Sequence, residues 1–325
     1  MENSKLDEKH DGILIRSFRR SDLSDLLDLL PRCFAREFEV FGFDPDHVTA
    51  LVNSAFGRTG RLILGLFRFF GKEPLKFLVA EIGGRVVGTT IINDRGRFGY
   101  LSAVMVHPDH RRKGIATKLV TDALYYLQRR KKVRAVLHAV STNNAAISVY
   151  VKLGFRAFEH TEHFIRETDS VCVLQPPSGV KIREFRRSDL DQVYNLVRAS
   201  EDPNHLRIFD FTRKSLKKSL LERMFRSAIR KKLVALYDDR LVGYVEAAHS
   251  TPKEAGSIGS IHVNSEGRSL GLEKLLVEAA SNEIVKGGAK RIQTAVPLAR
   301  QELIETVQSL GFREVLEMDA MVTEF

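Results

Sequence analysis

One stretch near the start of the chain returns almost unchanged in its second half. Residues 13–23 (ILIRSFRRSDL) align without a gap with residues 180–190 (VKIREFRRSDL), at an offset of 167 positions. Each copy predicts a strand, a turn and a helix start, with Ser21 as the helix cap in the first copy. The length of 325 residues also suits two domains of ordinary size. An internal duplication into two related domains is therefore expected.

A polar, turn-rich segment lies between the two copies. Residues 175–179 (QPPSG) combine two prolines with a glycine, and no regular element is expected to continue through such a sequence. We therefore predict a first domain at residues 12–174, a linker at 175–179 and a second domain at 180–325. Residues 1–11 are polar and charged, without the apolar stretch of a signal peptide, and are expected to form a flexible tail.

Both copies predict the same order of strands and helices. In the first copy, residues 76–92 predict a hairpin that turns at Gly83 and Gly84. Glycine readily adopts the positive φ that a tight turn requires. A strand at 98–106 follows. In the second copy, a hairpin at 233–245 turns at Asp238 and Asp239 and precedes a strand at 257–263. Both copies therefore combine strands with helical segments.

A strand end, a basic turn and a helix start follow one another at residues 106–117 (VHPDHRRKGIAT). Pro108 cannot continue a central strand because it lacks an N–H. The next helix should begin near Gly114, since apolar residues recur afterwards at helical spacing: Leu119, Val120, Ala123, Leu124 and Leu127. The first N–H groups of a helix have no intrahelical partner and carry positive charge, so they can bind a phosphate.

A second stretch, residues 137–155 (LHAVSTNNAAISVYVKLGF), predicts a strand followed by a helix that ends at Gly154. The two stretches fit V-x-P-x-x-[RQ]-x-x-G-x-[GA] and N-x-x-A-[AI]-x-x-Y-x-x-x-G-F in the right order. The chain thus resembles the GNAT superfamily of N-acetyltransferases. The resemblance implies an α/β (α+β) fold class and a tandem GNAT fold, with two mixed, mostly antiparallel sheets flanked by helices. It also implies acetyl transfer from acetyl-CoA, as cosubstrate, to a primary amine.

The resemblance assigns expected roles to particular residues. The backbone of Val104, Met105 and Val106 would pair with the pantetheine arm, and Asn143 would hydrogen-bond it, although Asn143 could equally cap the following helix. Arg111, Arg112 and Lys113 would add positive charge beside the helix start. The diphosphate would be held by the segment that opens the helix: Arg112, Lys113, Gly114, Ile115, Ala116 and Thr117.

The same resemblance makes Tyr150 the expected catalytic acid, the alternative being a tyrosine packed under the sheet. The strand at 98–106 offers no carboxylate between Tyr100 and Val106 as a base. His138 stands where ribosomal-protein and other N-terminal acetyltransferases carry a base, and some eukaryotic members pair a tyrosine at the Tyr100 position with that histidine. His138 could otherwise be a core residue. An α-amine, with a pKa of about 8, needs less help from a base than a lysine near 10.4, so a protein or peptide N-terminus is a plausible acceptor, alongside small-molecule amines.

The second copy keeps the glycine-containing turn but lacks the polar and small residues that the motif requires. Glu273 replaces the small residue at Ala116, and Arg300 and Val307 replace Asn143 and Tyr150. We expect the second copy to retain the fold without the activity, with a modified or effector-binding pocket as the alternative. An acetyl-CoA-binding pseudoenzyme that regulates or scaffolds a partner is the alternative for the whole protein. The acceptor groove is expected to include residues 47–70, which are largely apolar and helical in spacing.

Composition limits which other classes of protein the chain could belong to. The net charge of +10 is compatible with nucleic-acid binding, but basic clusters at helix ends are favoured by the helix dipole, so nucleic acid is possible and not favoured. Two isolated cysteines, Cys33 and Cys172, do not predict a disulfide framework or a zinc site, and no metal is expected. The longest apolar run, 62–70, is too short to span a membrane. A cytoplasmic protein is expected, and the oligomeric state is left open.

Overall fold

The computed structural model describes residues 12–41, 75–217, 228–250 and 255–325. The predicted tail at 1–11 and the predicted groove segment at 47–70 lie outside these residues. None of the helices in the described part of the chain is long and apolar enough to cross a bilayer. The chain forms two compact units, one made of the residues up to Phe158 together with Asp319–Phe325, and one made of Glu159–Met318.

The first unit contains five strands of its own and three described helices. Its strand order is β1-β2-β3-β4-β5, completed by the last residues of β12 (Arg313–Glu324). Strands β1 to β4 are antiparallel and β4 pairs with β5 in parallel. The elements are β1 (Leu14–Ser17), α1 (Leu23–Phe41), β2 (Leu75–Ile82), β3 (Arg85–Arg95), β4 (Phe98–Val106), α2 (Ile115–Arg129), β5 (Arg134–Val140) and α3 (Asn144–Lys152).

Helix α2 packs closely against one face of this sheet. Its predicted apolar face is confirmed: Leu119, Val120, Ala123 and Leu127 are fully buried. Two glycines on the strands allow the close approach, because a Cβ on Gly99 would overlap the side chain of Leu127, and a Cβ on Gly88 would lie 3.2 Å from the side chains of Ile115 and Leu119. Helix α1, which contains Pro31 and leaves helical geometry at Phe34, packs on β3 and β4.

The second unit repeats this order of elements. Its strand order is β6-β11-β10-β9-β8-β7, and β10 and β11 are the parallel pair. The predicted turn at Asp238 and Asp239 is confirmed, with both residues at positive φ. The elements are β6 (Arg156–Glu167), β7 (Val180–Glu184), α4 (Leu190–Ser200), α5 (Pro203–Ile208), β8 (Ala228–Tyr237), β9 (Arg240–Ser250), β10 (Ala255–Val263), α6 (Ser265–Ser269), α7 (Leu272–Lys286), β11 (Arg291–Pro297) and α8 (Gln301–Ser309).

The compact units and the repeated sequence segments divide the chain at different places. Strand β6 begins in the first unit and continues into the second after Phe158, whereas β12 ends in the first unit from Asp319 onward. The predicted boundary rests on the composition of one segment of the chain. The compact units are defined by contacts between residues, which can be far apart in sequence. The domains at 12–174 and 180–325 therefore stay a prediction about the repeated sequence.

The repeated RxxRRSD segment forms the same ion-paired turn twice. Arg16 grips Asp22 with two hydrogen bonds of 2.7 and 2.8 Å, and Asp22 also accepts the N–H of Arg19 at 2.6 Å. In the second copy, Arg183 and Asp189 make the equivalent bonds at 2.7 and 2.9 Å. The aspartate, rather than the predicted Ser21, holds this turn, since its carboxylate can bind the arginine and a backbone N–H together.

This turn predicts a pH-dependent loss of stability. Burial acts against the charge of Asp22, but hydrogen bonds from Arg16 and Arg19 outweigh it and lower the pKa of this carboxyl. A lowered pKa in the folded state stabilises above the ordinary value of about 3.9, and the stabilisation is lost as pH falls through the folded-state pKa. We expect Asp22→Asn to lower the unfolding free energy by about 3 kcal/mol at pH 7. Urea denaturation should show a smaller difference at pH 3.

The exposed pair of Arg213 with Asp191 supplies the control. Asp191 is 72% exposed, and exposed ion pairs contribute little to stability, so Asp191→Asn should leave the urea midpoint nearly unchanged at both pH values. An Asp22→Asn effect of equal size at pH 7 and pH 3 would contradict this account of the turn.

Candidate functional site

A cleft of about 540 Å³ lies in the first unit, where β4 ends and helices α2 and α3 begin. Its lining includes ten of the eleven residues predicted to bind the cofactor; Lys113 is not among the lining residues. Tyr150 lines it as well, whereas Tyr100 and His138 do not. The ten are Val104, Met105, Val106, Arg111, Arg112, Gly114, Ile115, Ala116, Thr117 and Asn143.

Strands β4 and β5 part next to this cleft. Their parallel pairing runs from Phe98 opposite Arg134 to Leu101 opposite Leu137 and does not extend to the end of β4. Just beyond, the register between β3 and β4 shifts and Ala103 adopts a φ of +50°, which marks a β-bulge. The last residues of β4 thus present a strand edge toward the cleft, and such an edge can pair with the amides of an extended ligand.

The turn below this edge leads directly into helix α2 and leaves its N-terminus exposed. Two of its residues have positive φ, Arg112 at +64° and Gly114 at +74°, and α2 starts directly afterwards at Ile115. The first N–H groups of α2, on Ile115, Ala116 and Thr117, have no intrahelical acceptor. A Cβ on Gly114 would meet no atom within 4 Å, so the approach to these N–H groups is open. Exposed backbone N–H groups at a helix N-terminus form an anion site.

Two of the predicted cationic side chains brace the turn itself. Nε of Arg111 donates to the carbonyl oxygen of Val106 at 3.2 Å, and Nζ of Lys113 donates to that of Asp109 at 3.2 Å. The contact from Arg111 ties the end of β4 to the turn. All three cations of the segment, Arg112 included, are exposed, so they place positive charge beside the helix N-terminus while two of them also have a structural contact.

Asn143 caps helix α3. Its Oδ1 accepts the N–H of Ala146 at 3.1 Å, which fixes the side chain at the rim of the cleft. The capping role weighed from the sequence is therefore present. An asparagine amide has two N–H donors besides its oxygen, and no residue in the described part of the chain accepts them. The cap thus leaves Asn143 able to donate to a ligand.

Tyr150 places a protonated hydroxyl group at the wall of the cleft. Its side chain is 6% exposed and stands edge-on to Phe155, with ring centroids 5.9 Å apart. Burial raises the pKa of Tyr150 to about 12, so the phenol keeps its proton at neutral pH. No residue that the structure describes hydrogen-bonds this hydroxyl. Tyr150 is thus both a core residue and a donor that lines the cleft.

Tyr100 and His138, on the neighbouring strands β4 and β5, form a direct pair. The Tyr100 hydroxyl lies 2.9 Å from Nδ1 of His138. Burial raises the pKa of Tyr100, with Arg95 acting in the opposite direction, so Tyr100 is protonated and can donate to Nδ1. The adjacent residues Leu101 and Leu137 belong to the core beside α2. Since side chains alternate along a strand, the pair lies on the sheet face opposite α2.

Sequence reasoning missed two residues of α1 that line the cleft, Cys33 and Phe34. Sγ of Cys33 lies 3.5 Å from the carbonyl oxygen of Val106, at the end of β4. Neither residue belongs to a recognisable motif, and the bend of α1 at Phe34 that brings them here has only Pro31 as a signal in the sequence.

The second unit keeps the same backbone and changes the side chains. Ser260 and Gly271 have φ of +51° and +68°, as Ala103 and Gly114 do in the first unit. The helix start carries Glu273, whose Oε1 lies 3.6 Å from Arg300 Nη2. Burial raises the pKa of the Glu273 carboxyl, with Arg300 acting against it. A carboxylate and a guanidinium therefore face each other where the first unit has Ala116 and Asn143.

Comparison with solved structures identifies the fold. A GCN5-related N-acetyltransferase from Sphaerobacter thermophilus superposes with a TM-score of 0.68 at 16% identity, over 98% of this chain and 97% of that chain. A tandem GNAT protein from the clavulanic acid biosynthesis pathway gives 0.67 at 17% identity, over 96% and 98%. At identities this low, the similarity shows the fold alone. The two superpositions confirm the predicted tandem GNAT fold.

Sequence comparison gives the family. The model described as the acetyltransferase (GNAT) family matches residues 37–155 and 190–312. An acetyltransferase from Sodalis glossinidius is 30% identical over 142 residues, which cover 43% of this chain and 85% of the relative. A mycothiol acetyltransferase from Tsukamurella paurometabola is 27% identical over 157 residues, covering 47% of this chain and 51% of the relative. The chain belongs to the GNAT acetyltransferase family, whose members use acetyl-CoA.

The cap at Asn143 yields a stability prediction. Asn143→Ala removes the acceptor for the Ala146 N–H and should lower the unfolding free energy by about 1 kcal/mol, measured by urea denaturation. Asn143→Asp keeps an oxygen cap and should stay close to wild type. Asn144→Ala removes a neighbouring amide that makes no capping bond and serves as the control. Equal effects of Asn143→Ala and Asn144→Ala would show that the cap does not stabilise α3.

Proposed function

We propose that the first unit is an acetyl-CoA-dependent N-acetyltransferase that moves an acetyl group to a primary amine. The observation that carries this proposal is the convergence, in one cleft, of a parted strand edge, an open helix N-terminus and a protonated tyrosine. The pseudoenzyme alternative has no comparable support, because a pure binding site would not need Tyr150 at the wall of the cleft.

The residues present fit a long ligand that carries a diphosphate. The N–H groups of Ile115, Ala116 and Thr117 would hold the diphosphate, with Arg111 and Arg112 supplying positive charge. The backbone of Val104–Val106 would pair with the amides of the pantetheine arm, and the Asn143 amide would donate to that arm. Acetyl-CoA, when bound, supplies an acetyl group activated as a thioester. Lys113 would contribute only through its charge, since it does not line the cleft.

Tyr150 would act as the general acid. A phenol with a pKa of about 12 remains protonated at neutral pH, so its hydroxyl is available as a hydrogen-bond and proton donor. Acyl transfer from a thioester releases a thiolate, and a positioned donor at the sulfur stabilises the charge that develops there. Burial of Tyr150 strengthens this donation because the surroundings screen it less than water would.

Tyr100 and His138 would act as a relay for the proton of the amine. The Tyr100 oxygen would accept that proton, directly or through one water, while its own O–H proton passes to Nδ1 of His138 across the 2.9 Å contact. The relay avoids a free phenolate, which burial of Tyr100 disfavours. The pair lies on the sheet face opposite α2, so an amine would approach from that face, and the diphosphate would lie on the α2 side.

The modest base favours an acceptor that is already partly neutral. An α-amine, with a pKa of about 8, has a sizeable neutral fraction at pH 7.5, whereas a lysine side chain near 10.4 is almost wholly charged. We therefore favour the N-terminus of a protein or peptide, or a small-molecule amine of similar pKa, as the acceptor.

A charge placed at the helix start tests the binding site. Ala116→Glu copies the second unit and puts a carboxylate where the diphosphate would dock, so isothermal titration should show coenzyme A affinity reduced by tenfold or more. Ala116→Gln has nearly the same size without the charge and should lose much less affinity. Equal losses of affinity in the two variants would mean that the size of the side chain, and not its charge, reduces binding. That result would contradict the placement of the diphosphate at this turn.

The catalytic assignment is tested by thiol release from acetyl-CoA with a library of amines. Tyr150→Phe and His138→Gln should each lower kcat by about 10² to 10⁴, with little change in coenzyme A affinity. Peptides with a free N-terminus should be better acceptors than N-acetylated peptides that carry one lysine. If the protein binds coenzyme A but releases no thiol with any amine, the proposed enzymatic activity is wrong and the pseudoenzyme alternative is favoured.

A further inference from the structure

The second unit contains a compact group of carboxylate and imidazole side chains from separate elements. Glu159 comes from β6, Glu201 follows α4 and His205 belongs to α5, and one donor atom of each lies within 4.8 Å of the others. The side chains of Glu159 and Glu201 are only 11% and 14% exposed, and that of His205 is 32% exposed. Nδ1 of His205 lies 2.9 and 3.1 Å from the two oxygens of Glu159.

This group holds more negative than positive charge. The imidazole of His205 faces three carboxylates: it hydrogen-bonds Glu159, and Glu201 and Asp202 also act on it. Arg300 also acts on Glu201, and it is shared with Glu273, which lies 3.6 Å away. A divalent cation would compensate Glu159 and Glu201 more fully than His205 does.

A fourth side chain, that of His262, points at the carboxylate of Glu201. His262 is 3% exposed, and its Nε2 lies 3.9 Å from Oε2 of Glu201. Its Nδ1 is 2.9 Å from the Ser200 hydroxyl, and no residue in the described part of the chain hydrogen-bonds its Nε2. When the ring proton is on Nδ1, facing Ser200, the lone pair of Nε2 is available to a metal ion.

The contact with Ser200 has the form of an orienting contact at a metal site. Histidine ligands commonly bind the metal through one ring nitrogen while a hydrogen bond to the other fixes the ring. Here the Ser200 hydroxyl can donate to or accept from Nδ1, and Nε2 points at Glu201. The distance of 3.9 Å between Nε2 and the carboxylate oxygen is too long for a hydrogen bond but short enough for two ligands of one ion about 2.1 Å from each.

The first unit carries none of these donors at the matching positions. The alignment of Arg183 with Arg16 sets Ser200 and Glu201 against Cys33 and Phe34, and the alignment of Gly271 with Gly114 sets His262 against Met105. Cys33, Phe34 and Met105 line the cleft of the first unit. In the second unit, the corresponding positions therefore carry oxygen and nitrogen donors in place of a wall that is mainly apolar.

We propose that Glu159, Glu201, His205 and Nε2 of His262 bind one divalent transition-metal ion in the second unit. Mixed carboxylate and imidazole ligands suit Zn²⁺ best among the common ions, whereas Mg²⁺ prefers oxygen ligands alone. The ion links β6 to α4, α5 and β10. This site does not depend on acetyl transfer by the first unit.

The test is titration of the full chain with ZnCl₂ after chelator treatment and removal of any histidine tag. Calorimetry should show one ion per chain, and Zn²⁺ should raise the thermal unfolding midpoint, whereas Mg²⁺ should do neither. Glu159→Gln and His205→Gln should abolish this binding, and Ser200→Ala should weaken it about 10- to 100-fold. Glu162→Gln removes a carboxylate from the same strand, where Glu314 and Glu317 surround it, and should bind Zn²⁺ as the wild type does.

A measurement on the wild type keeps the test independent of how the variants fold. Zinc-edge X-ray absorption should show nitrogen and oxygen ligands only, at about 2.0–2.2 Å. A sulfur ligand would assign the ion to Cys33 or Cys172 and overturn the proposal. Absence of saturable Zn²⁺ binding, or binding unchanged in both Glu159→Gln and His205→Gln, would also overturn it and leave an ion-pair cluster. Metal content is read without any acetyl-transfer assay, so failure of the proposed enzyme would leave this result interpretable.

Discussion

The early parting of β4 from β5 is the constraint on which the site depends. The two strands are paired only as far as Leu101 opposite Leu137, and after the bulge at Ala103 the end of β4 pairs with β3 alone, through Met105 and Val106. The strand edge is thereby left facing a cleft instead of a neighbouring strand. Helix α2 can begin directly beneath this edge because Gly88 and Gly99 let it pack closely against the sheet.

The duplication separates the frame of this fold from its chemistry. Both copies keep the arginine–aspartate turn, the bulge in the fourth strand of the repeat and the glycine before the main helix. These features set backbone geometry and core packing, which any functional version of the fold requires. The side chains over that frame differ: a small residue and an amide in the first unit, and the Glu273–Arg300 pair in the second. The same frame therefore carries different polar side chains in the two copies.

Local patterns made much of the fold and of the cleft predictable. The buried face of α2 follows from apolar spacing, and the turns at Gly83 and Asp238 follow from residue type. The residues that line the cleft come from two contiguous motifs, so a match to a family could find them together. The exchange of strand segments through β6 and β12 and the approach of Glu159 to His205 involve residues far apart in sequence. No local pattern encodes such contacts, and the same holds for Cys33 beside Val106.

The central claim is that the bent turn and helix start of the first unit form the coenzyme site, and a crystal structure of the full chain with acetyl-CoA tests it most directly. The account predicts one molecule per chain, with its diphosphate on the N–H groups of Ile115, Ala116 and Thr117 and its arm along Val104–Val106. A molecule bound instead at the Gly271 turn of the second unit, or a first-unit cleft that stays empty at saturating acetyl-CoA, would contradict the account.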